Sequence, residues 1–355
     1  MHGFLQAQSN ATGLYLDAQL FRGNIYKHTN DIGHLITGHP DGFLLSLNKR
    51  TFGKKEWEQT YNYPDYGVSL QYLDFKNQYL GVNYALGVHY NFYFLKRHLL
   101  FRISQGIGFT SNPYDKEHNN KNNAFGTKLL DNNYFLLQYQ KKDIFKSIGF
   151  QAGFLLTHYS NGRFKAPNSG INTIAFTAGL NYNFDKEVIE IATDSLINKQ
   201  NYKEPIKYNL AFRTGVSEAP VPHIGQKVFY HIGLYADKRI GRKSAFQAGT
   251  DVFFSRYLKE FIKFHSVAFP NKEPVDPDTD YKRIGVFIGH ELFINKLSIE
   301  TQLGYYVYKP FDYEIDIYQR VGLKYYAYKN WFTGVGLKTH GGRAEAIEAT
   351  LGIRL

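Results

Sequence analysis

Between Leu80 and Phe94 large apolar side chains alternate with small or polar ones as far as Asn91. Leu80, Val82, Tyr84, Leu86, Val88, Tyr90, Phe92 and Phe94 fall on one face, with Gly81, Asn83, Ala85, Gly87, His89 and Asn91 opposite. Period two is the signature of an extended strand. The run far exceeds the roughly 5 to 6 residues of a strand in a water-soluble sheet. A strand that crosses a bilayer needs about 9 to 11 tilted residues, apolar toward lipid and small or polar toward the lumen. The length and the Gly/Asn-rich second face together point to lipid on one side and a barrel interior on the other.

The same pattern recurs along the chain, near 13–22, 42–49, 66–74, 80–95, 99–110, 134–141, 148–160, 172–184, 207–215, 228–239, 244–254, 281–293, 297–308, 317–327, 331–339 and 345–355. The expected fold is therefore all-β: a transmembrane, antiparallel, up-and-down β-barrel of about 14 to 16 strands. Tyr, Phe, Gly and Asn are spread from end to end with no low-complexity linker, so residues 1–355 are expected to form a single barrel. Segment 255–264 carries a helical pattern, and the long connection 185–206 has room for a short helix. With the N-terminus in the periplasm, loops 23–41, 111–133, 161–171 and 255–280 fall on the outer side.

Composition removes the other broad classes. The 355 residues hold no Cys, which excludes disulfide scaffolds, thiolate metal sites and thiol catalysis. Hydrophobic residues at 43% and aromatics at 17% exclude a disordered chain. No stretch approaches the roughly 18 apolar residues of a membrane-spanning helix. The net charge of +11 fits an anionic partner. No nucleic-acid-binding motif or basic helix accompanies it, so nucleic acid is not the expected partner. The first residues, MHGFLQAQSN, show no signal-peptide pattern.

One hairpin carries chemistry. On the strand 148–160 the even positions from Ile148 to Leu156 are the apolar, lipid-facing set, and His158 and Ser160 continue it. On the following strand Asn172 shares the outward face with Ile174, Phe176 and Leu180. Residues i and i+2 on a strand share a face about 6.5 to 7 Å apart, within reach of a His–Ser contact. A hydroxyl beside a neutral imidazole is a minimal activated nucleophile, and a third group that orients the imidazole completes a triad. At the lipid face its substrate would be a lipid ester. Polar side chains at a membrane interface form the competing, purely structural reading.

The longer string His158-Tyr159-Ser160-Asn161-Gly162-Arg163-Phe164-Lys165-Ala166-Pro167-Asn168-Ser169-Gly170-Ile171-Asn172 resembles the active-site segment of the lipid A 3-O-deacylase (PagL-type) family. The resemblance is close over about 66–184. The second half, 207–355, resembles less specifically the C-terminal portion of long PagL-like proteins from Bacteroidetes-type bacteria. It implies Ser160 as nucleophile, His158 as base, and removal of an ester-linked 3-hydroxyacyl chain from lipid A in the outer membrane of a Gram-negative bacterium, without metal or cofactor. The partners implied are lipid A or lipopolysaccharide and outer-membrane lipids. The family's enzymes place Glu at the third position, where this chain has Asn172. An Asn carbonyl holds the imidazole tautomer but supplies no negative charge to an imidazolium.

The Asn161 side chain and the Gly162 N–H, directly after the nucleophile, are the candidate oxyanion donors. Arg163 and Lys165 are the candidate contacts to lipid A phosphates. The alternative is a non-catalytic barrel, either a pore or an inactive PagL-like protein. Finally, Gly336-Leu337-Lys338-Thr339-His340 echoes Leu155-Leu156-Thr157-His158, in the manner of a duplication remnant. Alternation turns His340 inward with Glu348, and the two are expected to form a structural pair in the lumen.

Overall fold

The computed structural model describes residues 12–185, 202, 204–222, 224–271 and 274–355. All sixteen expected strands are present. The first eight are β1 (Leu14–Tyr26), β2 (Asp41–Lys49), β3 (Asp65–Asp74), β4 (Val82–Phe94), β5 (Leu99–Thr110), β6 (Leu129–Phe145), β7 (Ile148–Ser160) and β8 (Ile171–Asn183). The second eight are β9 (Lys207–Ser217), β10 (Lys227–Arg239), β11 (Ser244–Ser255), β12 (Arg283–Ile294), β13 (Leu297–Tyr308), β14 (Ile317–Tyr328), β15 (Trp331–His340) and β16 (Arg343–Arg354). Among the described residues, two α-helices, α1 (Glu56–Thr60) and α2 (Tyr257–Ala268), and a 3-10 helix over Asn30–Leu35 occupy connections, α2 where a helical pattern was read. Most of the connection 185–206 lies outside the described residues.

Closure differs from the single barrel expected. β1 pairs with both β2 and β8, and β9 with both β10 and β16, so the strands form two closed, antiparallel barrels of eight. Alternation fixes which way each side chain points but says nothing about which edge strands meet. The backbone decides that. An open edge in lipid leaves N–H and C=O groups without partners, and a sheet that finds its own first strand satisfies them all. The chain accordingly forms two compact units. One holds the strands β1 to β8. The other holds β9 to β16 together with Asn161–Asn168 of the β7–β8 connection.

In each barrel the apolar set faces outward. Leu86, Phe154 and Phe176 are 64%, 62% and 55% exposed on the first wall, and Ile288, Val307 and Leu351 line the second. The interiors are filled. In the first, Arg102 bonds Asp17 (2.8 Å), Ser46 (2.6 Å) and Asn91 (2.7 Å). Phe75, Phe125, Leu136, Leu155 and Tyr159 pack together within the same unit. In the second, Arg320 bonds Asp251 (2.8 Å) and Glu348 (2.6 Å), and Lys324 meets Glu291 at 3.0 Å. An eight-stranded barrel is just wide enough for side chains to fill. These lumens contain side chains where a pore would contain water.

His340 and Glu348 both point inward, as expected, but not at each other. His340 Nε2 lies 2.8 Å from the Tyr306 hydroxyl, whereas Glu348 bonds His231 and Arg320. The sequence echo has a structural counterpart: His158 is on the seventh strand of its barrel and His340 on the seventh of the other.

A buried ion pair is costly to break because the surviving charge stays desolvated. Arg102→Ala should therefore destabilise the first barrel by about 3–5 kcal/mol, and the double variant Arg102→Met with Asp17→Asn should recover much of that. Urea unfolding of the detergent-folded protein checks both.

Candidate active site

The register of the β7–β8 hairpin sets His158 directly opposite Asn172. His158 Nδ1 lies 2.7 Å from Asn172 Oδ1, so the imidazole donates to the amide carbonyl and Nε2 is left to accept. Ser160 follows on the same outward set and is 3% exposed. Gly170 closes the space between them. It sits at φ +65°, and a methyl group placed on it would lie 3.1 Å from both His158 Cε1 and Ser160 Cβ. Those two atoms are consequently at most about 6 Å apart. The three residues named from the sequence as nucleophile, base and orienter are thus brought to one end of one hairpin.

Two further strands extend this polar patch, and the sequence reading missed both contributions. On β6, Asp131 is paired with Ser160 and Asn133 with His158. Asn133 and Gln105 both donate to the Asp131 carboxylate. The run Asp131-Asn132-Asn133 carries turn-forming residues, which is why the strand was expected to start at 134. Its outward members instead face the hairpin, and Asn132 turns inward to Thr157. On the other side, β1 runs on to Tyr26, which pairs with Asn172, beyond the expected end at 22. The next residues bring His28 within 3.2 Å of Asn172 Nδ2, and His28 Nε2 lies 3.0 Å from the Ser169 carbonyl.

The expected oxyanion and phosphate contacts lie in the second unit. The Asn161 N–H donates to Asn168 Oδ1 and its side-chain amide to the Lys165 carbonyl, each at 2.7 Å. Gly162 sits at φ +60°, where an added Cβ would meet Ile347 at 2.3 Å. Arg163 is 8% exposed and bonds the Tyr257 hydroxyl (2.6 Å) and Glu314 (3.3 Å). Burial works against its charge, and Tyr257 and Glu314 more than offset this, so its pKa stands above the ordinary arginine value. These partners occupy the guanidinium that was expected to meet a lipid phosphate. Lys165 is exposed.

Geometry alone does not make a nucleophile. Inside the barrels, Ser255 Oγ lies 3.1 Å from His231 Nε2, and His231 Nδ1 lies 2.6 Å from Glu348. Ser69, His89 and Asn48 form a similar string. Both sets are buried in lumens, where they satisfy one another and face no lipid. Glu314, His340 and Glu345 have ligand-type atoms within 4.8 Å of one another. Arg283 bonds both carboxylates and Lys338 bonds Glu345, so their charge is already balanced by buried cations.

Residues 41–181 match the family model described as lipid A 3-O-deacylase (PagL), and residues 206–355 match that of the acyloxyacyl hydrolase C-terminal domain. The chain belongs to the PagL lipid A deacylase family. The first match falls on β2 to β8 and the second on the whole β9–β16 barrel, so each PagL-type module has its own sheet. Membership and the apolar outer walls make this an outer-membrane protein. No curated protein matches the sequence. Among solved structures, Omp33 of Acinetobacter baumannii is similar at 10% identity, with 97% of this chain and 99% of that one covered and a TM-score of 0.19. A mutant porin of Rh. blastica is similar at 6% identity, with 96% and 100% covered and a TM-score of 0.20.

Gly170→Ala should cost about 1–2 kcal/mol for the left-handed backbone alone and push His158 and Ser160 apart. The expected outcome is a protein that still folds, by its gel mobility with and without heating, but has lost most of any Ser160-dependent esterase activity.

Proposed function

We propose that this barrel removes an ester-linked 3-hydroxyacyl chain from position 3 of lipid A in the outer membrane of a Gram-negative bacterium. The observation that carries the reading is the 2.7 Å bond from His158 Nδ1 to Asn172 Oδ1, which fixes the tautomer that leaves Nε2 basic. An acyl chain lying against the outer wall, along Leu156 and Ile174, brings its ester to the end of the hairpin.

His158 Nε2 takes the Ser160 proton while Oγ attacks the ester carbonyl carbon. The tetrahedral intermediate collapses with cleavage of the bond to the sugar oxygen, which receives the proton from His158. Water, activated by the same imidazole, then releases the 3-hydroxy acid and restores Ser160. The Asn161 side-chain amide and the Gly162 N–H follow the nucleophile in the chain and are the proposed oxyanion donors. With Arg163 bound to Glu314 and Tyr257, Lys165 is the proposed contact to a lipid A phosphate. Asp131 and Asn133, opposite the dyad, are suited to accept from and donate to the acyl hydroxyl and the sugar.

Mass spectrometry of lipid A incubated with the folded protein, beside Ser160→Ala, tests this. Loss of one 3-hydroxyacyl chain only with Ser160 present is expected. Unchanged lipid A in both would overturn the catalytic reading and leave an inactive PagL-like barrel. Asn172→Glu should raise turnover, by at most about 10⁴-fold, the size of the penalty for the corresponding Asp-to-Asn change in a serine protease.

A further inference from the structure

An asparagine in the third position raises a problem that a glutamate does not. Both ends of a carboxylate accept hydrogen bonds, so either one holds the imidazole N–H. An amide has an accepting end and a donating end of nearly the same shape. With its carbonyl toward His158, the proton stays on Nδ1 and Nε2 is the base. With its NH₂ toward His158, Nδ1 must accept, the proton moves to Nε2, and the ring no longer takes a proton from Ser160. Something must choose between the two.

We infer that His28 is a positioning residue that fixes the side-chain amide of Asn172 with its carbonyl toward His158. This deepens the esterase reading above and rests on it. With the His28 ring neutral, the chain of bonds has one polarity. The Ser169 carbonyl can only accept, so His28 Nε2, 3.0 Å away, carries the proton. A neutral imidazole protonated there presents a lone pair at Nδ1. That lone pair lies 3.2 Å from Asn172 Nδ2 and accepts its N–H. The opposite end of the same amide, Oδ1, is thereby turned to His158 Nδ1 at 2.7 Å. The Tyr26 carbonyl, 3.4 Å from His28 Nδ1, would draw a proton to that nitrogen, but it is the longer of the two contacts there, and in a neutral ring whose proton is held at Nε2 the lone pair takes the Asn172 N–H at 3.2 Å.

The placement follows from barrel closure. Tyr26 pairs with Asn172 across the β1–β8 seam, and His28 lies two residues further along the same chain. Ser169 and Gly170 are held in turn by the carbonyls of Asn123 and Ala124. His28 is exposed and has no part in the packed interior, so its replacement leaves the fold intact.

The test swaps an acceptor for a donor. His28→Lys puts an N–H donor beside Asn172 and should reverse the amide. His28→Gln retains a carbonyl that can accept. Nitrogen-15 NMR of labelled imidazoles, with the His158 signals assigned by their loss in His158→Gln, reads the tautomer directly. We expect Nδ1–H at His158 in the parent and in His28→Gln, and a shift toward Nε2–H in His28→Lys. An unchanged His158 tautomer in His28→Lys overturns the inference whether or not the protein deacylates lipid A. Kinetics give an independent reading where the parent shows Ser160-dependent turnover. His28→Lys should then lower kcat by roughly tenfold or more with KM little changed. In an Asn172→Glu background the same substitution should cost nothing, because a carboxylate has no donating end. An equal loss in both backgrounds would reduce His28 to a structural or electrostatic neighbour. Absence of Ser160-dependent turnover in the parent would fail the esterase reading alone, with the tautomer measurement still deciding the role of His28.

Discussion

Hydrocarbon offers a backbone no hydrogen-bond partners, and most of this structure follows from that. A sheet in lipid must close, and closure requires a first strand to find a last one. Here β1 meets β8 in a ladder from Tyr15↔Asn183 to Tyr26↔Asn172. That seam removes the exposed edge of the first barrel and also brings the chain after β1 beside the β7–β8 hairpin. The same ladder that satisfies the wall thus delivers His28 to Asn172.

The two faces of the wall impose opposite rules. Inside, polar and charged side chains are shut away from water and must balance one another, as Arg102 does with Asp17 and Arg320 with Asp251 and Glu348. Strings of Ser, His and an acceptor arise there as part of that balance. Outside, an isolated polar group is expensive in an apolar surface, and Asp131, Asn133, His158, Ser160 and Asn172 are gathered at one end of the wall, with Asn133 bonded to Asp131 and His158 to Asn172. Which face a residue takes therefore distinguishes the lumenal strings from the outward one, where interatomic distance does not.

Much of this was legible in the chain. Period-two alternation located all sixteen strands and assigned His158, Ser160 and Asn172 to one outward face, because parity along a strand is a local property. Asp131 and Asn133 were hidden because Asp and Asn are turn formers, and only the neighbouring strand shows that they continue a ladder. His28 was hidden because β1 looked finished four residues early. Arg163 looked like a free loop cation, and nothing local indicated that Tyr257 and Glu314, far along the sequence, would bury it.

The sequence by itself determined the class of solvent, the segments that form strands and the parity of side chains along them, and it supplied the candidate nucleophile and base. Each of these depends on neighbours one or two positions apart. The tertiary structure decided that sixteen strands close as two barrels of eight, that the lumens are filled, and that His28 lies beside the amide of Asn172. Those outcomes depend on which edges meet and on hydrogen bonds between residues more than a hundred positions apart, such as His28 and Asn172.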